Sequence, residues 1–109
     1  MIRSASFFLT TIVFVGMVHT DASADIAKGQ KWYTKNCKDC HGNGSKGAAL
    51  HTQDEWDELF AKEGKKIIQK HAGTKAEPYF NGDDFKDKAQ HIRDFLFEYG
   101  SDSGNVPAC

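Results

Sequence analysis

Cys37-Lys38-Asp39-Cys40-His41 constrains this chain more than any other stretch. Two thiols three positions apart sit on one turn of helix, where both face one edge of a flat ring. Each can add to a vinyl group of a porphyrin and form a thioether. The next residue then lies under the ring with its imidazole aimed at the iron. C-x-x-C-H is accordingly the attachment signature of c-type haem, with Cys37 and Cys40 as the thioether positions and His41 as the proximal ligand. The Cys-x-x-Cys spacing alone also serves dithiol redox centres and zinc sites. A dithiol centre wants a βαβ setting, and no strand pattern occurs here. A zinc site would need Cys37, Cys40, His41 and His51, and structural zinc usually takes a second paired motif, which is absent.

Residues 1–24 have the pattern of a cleaved export leader. Arg3 is followed by an apolar run from Ala5 to Val18, then by Ala22-Ser23-Ala24, a small-x-small cleavage site before Asp25. The apolar run falls short of the roughly 20 residues a spanning helix needs. Cleavage would leave 85 of the 109 residues, no membrane span and a periplasmic location. A chain that short buries little surface and needs a staple. One covalent haem c would be that staple, and the apoprotein should be largely unfolded.

Charge balance points to neither nucleic acid nor membrane: the whole chain carries 14 basic and 15 acidic residues. The distribution is more informative. Lys28, Lys31, Lys35, Lys38 and Lys46 flank the motif with only Asp39 among them, whereas Asp54, Glu55, Asp57, Glu58 and Glu63 cluster further on. The lysines are where redox partner proteins would dock.

Apolar spacing predicts a first helix over Asp25 to Asn36 and a last one over Asp83 to Tyr99, stopped by Gly100. The last carries the stripe Phe85, Ala89, Ile92, Phe95, Leu96 and Tyr99. Thr52-Gln53-Asp54-Glu55 has the form of a capping box, so a middle helix should start there, break at Gly64 and end near Gly73. Trp32 should pack in the core or at the haem edge. Gly42 to Gly47 and Thr74 to Asn81 read as loops by composition. Residues 101–109 read as a polar tail. It ends in Cys109, an odd cysteine suited to a disulfide-linked dimer or left free in disorder.

Over residues 25–100 the chain resembles a small class I monohaem cytochrome c. The residues that carry the likeness are Gly29 and Tyr33 before Cys37-x-x-Cys40-His41-Gly42, and Leu96-x-x-Tyr99 in the last helix. The resemblance implies an all-α fold of three to four helices around one covalently bound haem. It also implies a crossing in which Gly29 and Tyr33 meet Leu96 and Tyr99, and a role in electron transfer. The chain departs from the family on the other face of the iron. Its two methionines, Met1 and Met17, both lie in the leader, Glu77-Pro78 stands where Met-Pro would be expected, and no proline follows the motif closely.

Histidines are left as nitrogen ligands. His71 is the first choice for the sixth position, because it ends the middle helix and opens the loop toward the distal face. His91, on the last helix, and His51, close to His41, are the alternatives. The expected function is a non-enzymatic periplasmic electron carrier with non-methionine, bis-histidine ligation. The alternatives are a haem protein whose open distal site binds a diatomic gas, and the dedicated haem subunit of a reductase.

Overall fold

The computed structural model describes residues 22–108. Six helical segments follow one another: α1 (Ala22–Asn36), α2 (Lys38–His41), α3 (Gly44–Ala48), α4 (Gln53–Lys70), α5 (Glu77–Phe80) and α6 (Asp83–Glu98). Among the described residues there is no strand. The expected all-α fold is present. The long helices are the three foreseen, and α2, α3 and α5 are additional short turns. The leader expected over residues 1–24 lies outside the described residues, apart from the three that open α1, and Cys109 lies outside them too.

Helix α6 is the centre of the packing. Phe85, Ile92 and Phe95 recur at helical spacing and are the largest fully buried side chains among the described residues. Each contributes on the order of 2 kcal/mol of transfer free energy when removed from water. Trp56, Leu59 and Ile67 of α4, Tyr33 of α1 and Phe80 of α5 close around them.

Helix α1 crosses α6 at Gly29. A Cβ on Gly29 would stand 1.9 Å from the His91 carbonyl oxygen and 2.8 Å from Phe95 Cβ, so only glycine permits this approach. Tyr33 then packs its ring 5.6 Å from that of Phe95. The crossing was expected to pair Gly29 and Tyr33 with Leu96 and Tyr99. It is instead centred on His91 and Phe95, nearer the N-terminus of α6.

Helix α4 starts as its sequence dictates. The Thr52 hydroxyl accepts from the Glu55 backbone N–H, and the Glu55 carboxylate accepts from the Thr52 backbone N–H, completing a capping box. Its break is a left-handed corner: Lys62, Glu63 and Gly64 all have positive φ, at 54°, 58° and 77°. Gly64 is buried there against the Phe85 ring. The corner turns the second arm of α4, with Ile67, back onto the core.

Two expected loops are helical. Asn43 accepts from the Lys46 N–H and so caps α3, although Gly44 and Gly47 lie within that segment. Glycine is required at 47, because a Cβ there would fall 1.8 Å from the Tyr33 hydroxyl. In α5, Pro78 occupies the first turn, where a missing N–H costs nothing.

The tail packs back onto the fold. Gln53 donates its backbone N–H to Asp102, Ser101 donates to the His51 carbonyl, and Gln30 donates to the Ala108 carbonyl at 2.6 Å. Pro107 is buried.

Candidate haem site

Helix α1 runs directly into α2, and the turn between them carries the motif. The Cys37 carbonyl accepts from the His41 N–H at 3.0 Å, and Gly42, at φ 81°, ends the turn. The Tyr33 hydroxyl donates to the Gly42 carbonyl at 2.8 Å and so pins the motif to α1. The sequence pointed to Tyr33 as a helix-crossing residue; its hold on the motif needed the structure.

Cys37 is half-buried and Cys40 exposed, both as free thiols. Burial, reinforced by the neighbouring Cys40 charge, pushes the Cys37 thiol up to about 11. Burial likewise raises the Tyr33 phenol to about 12, with a smaller contribution from Cys37.

Two cavities meet at this turn. One, of about 210 Å³, is walled mainly by apolar side chains of the core, among them Leu59, Ile67, Phe80 and Leu96. The other, of about 280 Å³, opens toward Asn36, Cys40 and Ala76. Cys37, His41, Lys70, His71 and Phe80 line both.

His71, the C-cap of α4, shares this lining with His41. Their ring centroids are 6.0 Å apart and their planes cross at 77°. His71 Nδ1 lies 2.7 Å from the Ile67 carbonyl oxygen. A carbonyl only accepts, so Nδ1 carries the proton and Nε2 keeps its lone pair for a metal. The Phe80 ring stacks on His71 at 4.0 Å and 20°.

His51 and His91 lie apart from this pair. The His51 ring lies edge-on to Trp56 at 4.7 Å, with Nδ1 3.3 Å from Glu55. It lines the first, apolar cavity only. His91 sits at the α1–α6 crossing, its Nδ1 3.6 Å from an Asp25 carboxylate oxygen, and lines neither cavity. Among the described residues no three His, Cys, Asp or Glu side chains converge as a metal site. The four-ligand zinc arrangement is therefore not formed.

Over residues 24–96 the chain matches the family model described as cytochrome c oxidase, cbb3-type, subunit III. The chain belongs to this family. It is a small c-type cytochrome that carries covalent haem c. No curated protein and no solved structure matches it.

The residues present fit that group. An apolar cavity beside two free thiols suits a flat apolar ring, and two imidazoles line the same space. Taking a metal–imidazole bond of about 2 Å, and about 1.1 Å from ring nitrogen to ring centre, two axial imidazoles sharing one metal have centroids about 6 Å apart. The observed 6.0 Å is that separation. The Tyr79 hydroxyl, buried without a partner, is left free for a polar group of the cofactor; burial, with the Cys37 and Asp84 charges, raises its pKa.

The lysines expected around the motif do not form one cluster. Lys31 and Lys35 gather with Lys88 around the half-buried Trp32 ring, at 5.0, 5.8 and 3.8 Å from its centroid. Lys38 lines a groove with Gln30, Thr34 and the docked tail. The aliphatic stem of Lys46 lies over Gly42. No described helix is long and apolar enough to cross a membrane.

Proposed function

We propose that this cytochrome is a single-electron carrier whose iron is held by His41 and His71, with Cys37 and Cys40 as the thioether anchors. The observation that carries the reading is the pair of imidazoles, 6.0 Å apart, with the His71 tautomer set by the Ile67 carbonyl. When bound, the haem supplies a one-electron ferric/ferrous couple.

The protein's part is to hold that couple rigid and dry. Two nitrogen ligands suit both oxidation states, so little has to move when an electron passes. Phe80, Leu59 and Ile67 exclude water from one side, while Cys40 stays exposed at the edge where a partner can approach. Lys70 and the Tyr79 hydroxyl supply polar partners for the haem carboxylates. Without a methionine ligand, which raises the potential, the couple should lie below that of Met/His cytochromes.

Export to the periplasm follows from the leader pattern of residues 1–24 and suits a haem-c protein. The lysines of α1 (Lys28, Lys31, Lys35), with Lys38 of α2 and Lys46 of α3, would steer acidic redox partners toward the haem edge. The family's name, that of an oxidase subunit, favours a respiratory enzyme as one of them.

Carbon monoxide added to the reduced holoprotein tests the carrier reading against the gas-binding one. A saturated iron gives little spectral change on mixing. An immediate and complete shift would assign the open-site function instead.

A further inference from the structure

We propose that Phe80 is a positioning residue that holds the His71 imidazole nearly perpendicular to that of His41, an inference that rests on the ligand reading above. The two ring planes cross at 77°. Two axial imidazoles that both contain the ligand–metal–ligand line differ only by rotation about it, so this angle is the freedom the protein has to set.

Two contacts fix it on the His71 side, and the second is itself braced. Nδ1–H donates to the Ile67 carbonyl at 2.7 Å, which hinges the ring on the last turn of α4. Phe80 lies flat against the ring at 4.0 Å and 20°. Phe80 is itself buried and braced by Phe85 at 4.7 Å and Tyr79 at 5.4 Å. Turning His71 toward the plane of His41 would break the hydrogen bond and drive the imidazole into Phe80. Helix α5, with Pro78 in its first turn, is the element that delivers this ring.

The angle has an electronic consequence. Each imidazole donates π density along one direction, perpendicular to its own plane. Parallel rings load one iron dπ orbital and split the pair, whereas crossed rings load both alike and leave them nearly degenerate. A low-spin ferric centre with nearly degenerate dπ orbitals retains large orbital angular momentum. Its EPR spectrum is then strongly anisotropic, with one large g value in place of a rhombic triplet.

The test is low-temperature EPR of the ferric holoprotein, paired with near-infrared magnetic circular dichroism, which reports ligand identity independently of ring angle. The wild type should give the bis-imidazole charge-transfer band together with the highly anisotropic signal. Phe80→Tyr, which keeps the ring, should retain both. Phe80→Leu should keep the bis-imidazole band while its EPR moves toward the rhombic form. A rhombic wild-type signal with a bis-imidazole band would overturn the crossed geometry and leave the ligands standing. An unchanged anisotropic signal in Phe80→Leu would overturn the role of Phe80. A wild-type band of another ligand class would remove the ligand reading and this inference with it. If Phe80→Leu does not mature, the wild-type spectrum still decides the crossed geometry, and Phe80→Ile, which also lacks a ring, takes its place for Phe80.

Discussion

Gly29 on α1 lies against the carbonyl of His91 on α6, so close that a Cβ on Gly29 would stand 1.9 Å from that oxygen. The clash is with backbone, which cannot swing aside as a side chain can. Gly29→Ala must therefore push the two helices apart, at a cost of about 1–3 kcal/mol or more, the range for overpacking a well-filled interior. In thermal melts of the holoprotein the midpoint should fall by roughly 4–8 °C for each kcal/mol in a domain of this size. A variant melting with the wild type would show that the crossing is not this tight.

The capping box predicts a pH dependence. Hydrogen bonds from the Thr52 backbone and side chain, with a further one from His51, hold the Glu55 carboxyl below its usual range. A carboxyl depressed on folding contributes stability above its unfolded pKa, and that contribution is lost as pH falls through the folded value. Glu55→Gln preserves the box but cannot titrate. Wild type should exceed this variant in stability at neutral pH, and the difference should close below about pH 4. A difference constant with pH would contradict the assignment.

The corner in α4 stores strain at residues that are not glycine. Lys62 and Glu63 hold φ at 54° and 58°, a conformation that costs an L-residue about 1–2 kcal/mol. Lys62 is exposed, so Lys62→Gly should stabilise the folded chain by roughly 0.5–1 kcal/mol after the greater entropy of glycine is deducted. Denaturant titration with an unchanged slope and a higher midpoint is the expected result.

These three sites differ in how far the sequence announced them. Thr52-x-x-Glu55 is a local pattern with one physical meaning, and it was found as read. Gly64 was read as a break, but the left-handed geometry at Lys62 and Glu63 was not legible, because neither residue favours it. The packing of Ile67 and Phe85 imposes it. Helices α3 and α5 were hidden for a related reason. Gly44, Gly47 and Pro78 are loop formers by composition; the local cap at Asn43 and the first-turn place of Pro78 are weak signals, and the tertiary contacts, the Tyr33 hydroxyl over Gly47 and Phe80 on His71, accompany the short helices there.

The same contrast holds at the site. Cys37, Cys40 and His41 are legible because covalent haem attachment needs a fixed spacing. His71 could be ranked from its place at the end of a helix, and its ring lies 6.0 Å from that of His41. Its supports, Ile67 and Phe80, come from two different helices and leave no pattern. The partners of Gly29 were misjudged by about a turn of α6, since apolar periodicity fixes which face is buried but not the height at which two helices cross.

The basic surface can be probed with small oxidants of opposite charge. Lys31 and Lys35, gathered with Lys88 around Trp32, place positive charge on the helix that leads into the motif. Oxidation of the ferrous protein by anionic hexacyanoferrate(III) should slow as salt rises, and by cationic hexaamminecobalt(III) should quicken. The double variant Lys31→Glu and Lys35→Glu should reduce the hexacyanoferrate rate about tenfold at low ionic strength and change it little at high. Rates indifferent to salt and to these substitutions would place the electron-transfer edge elsewhere.

Ligation of the iron by His71 is most directly tested by the ferric absorption spectrum of the holoprotein with each of His71, His51 and His91 replaced in turn by alanine. His71→Ala alone should convert a low-spin spectrum to a high-spin one and open the iron to carbon monoxide on reduction. A His71→Ala protein that stays low spin, or the same conversion in His51→Ala or His91→Ala, would contradict it.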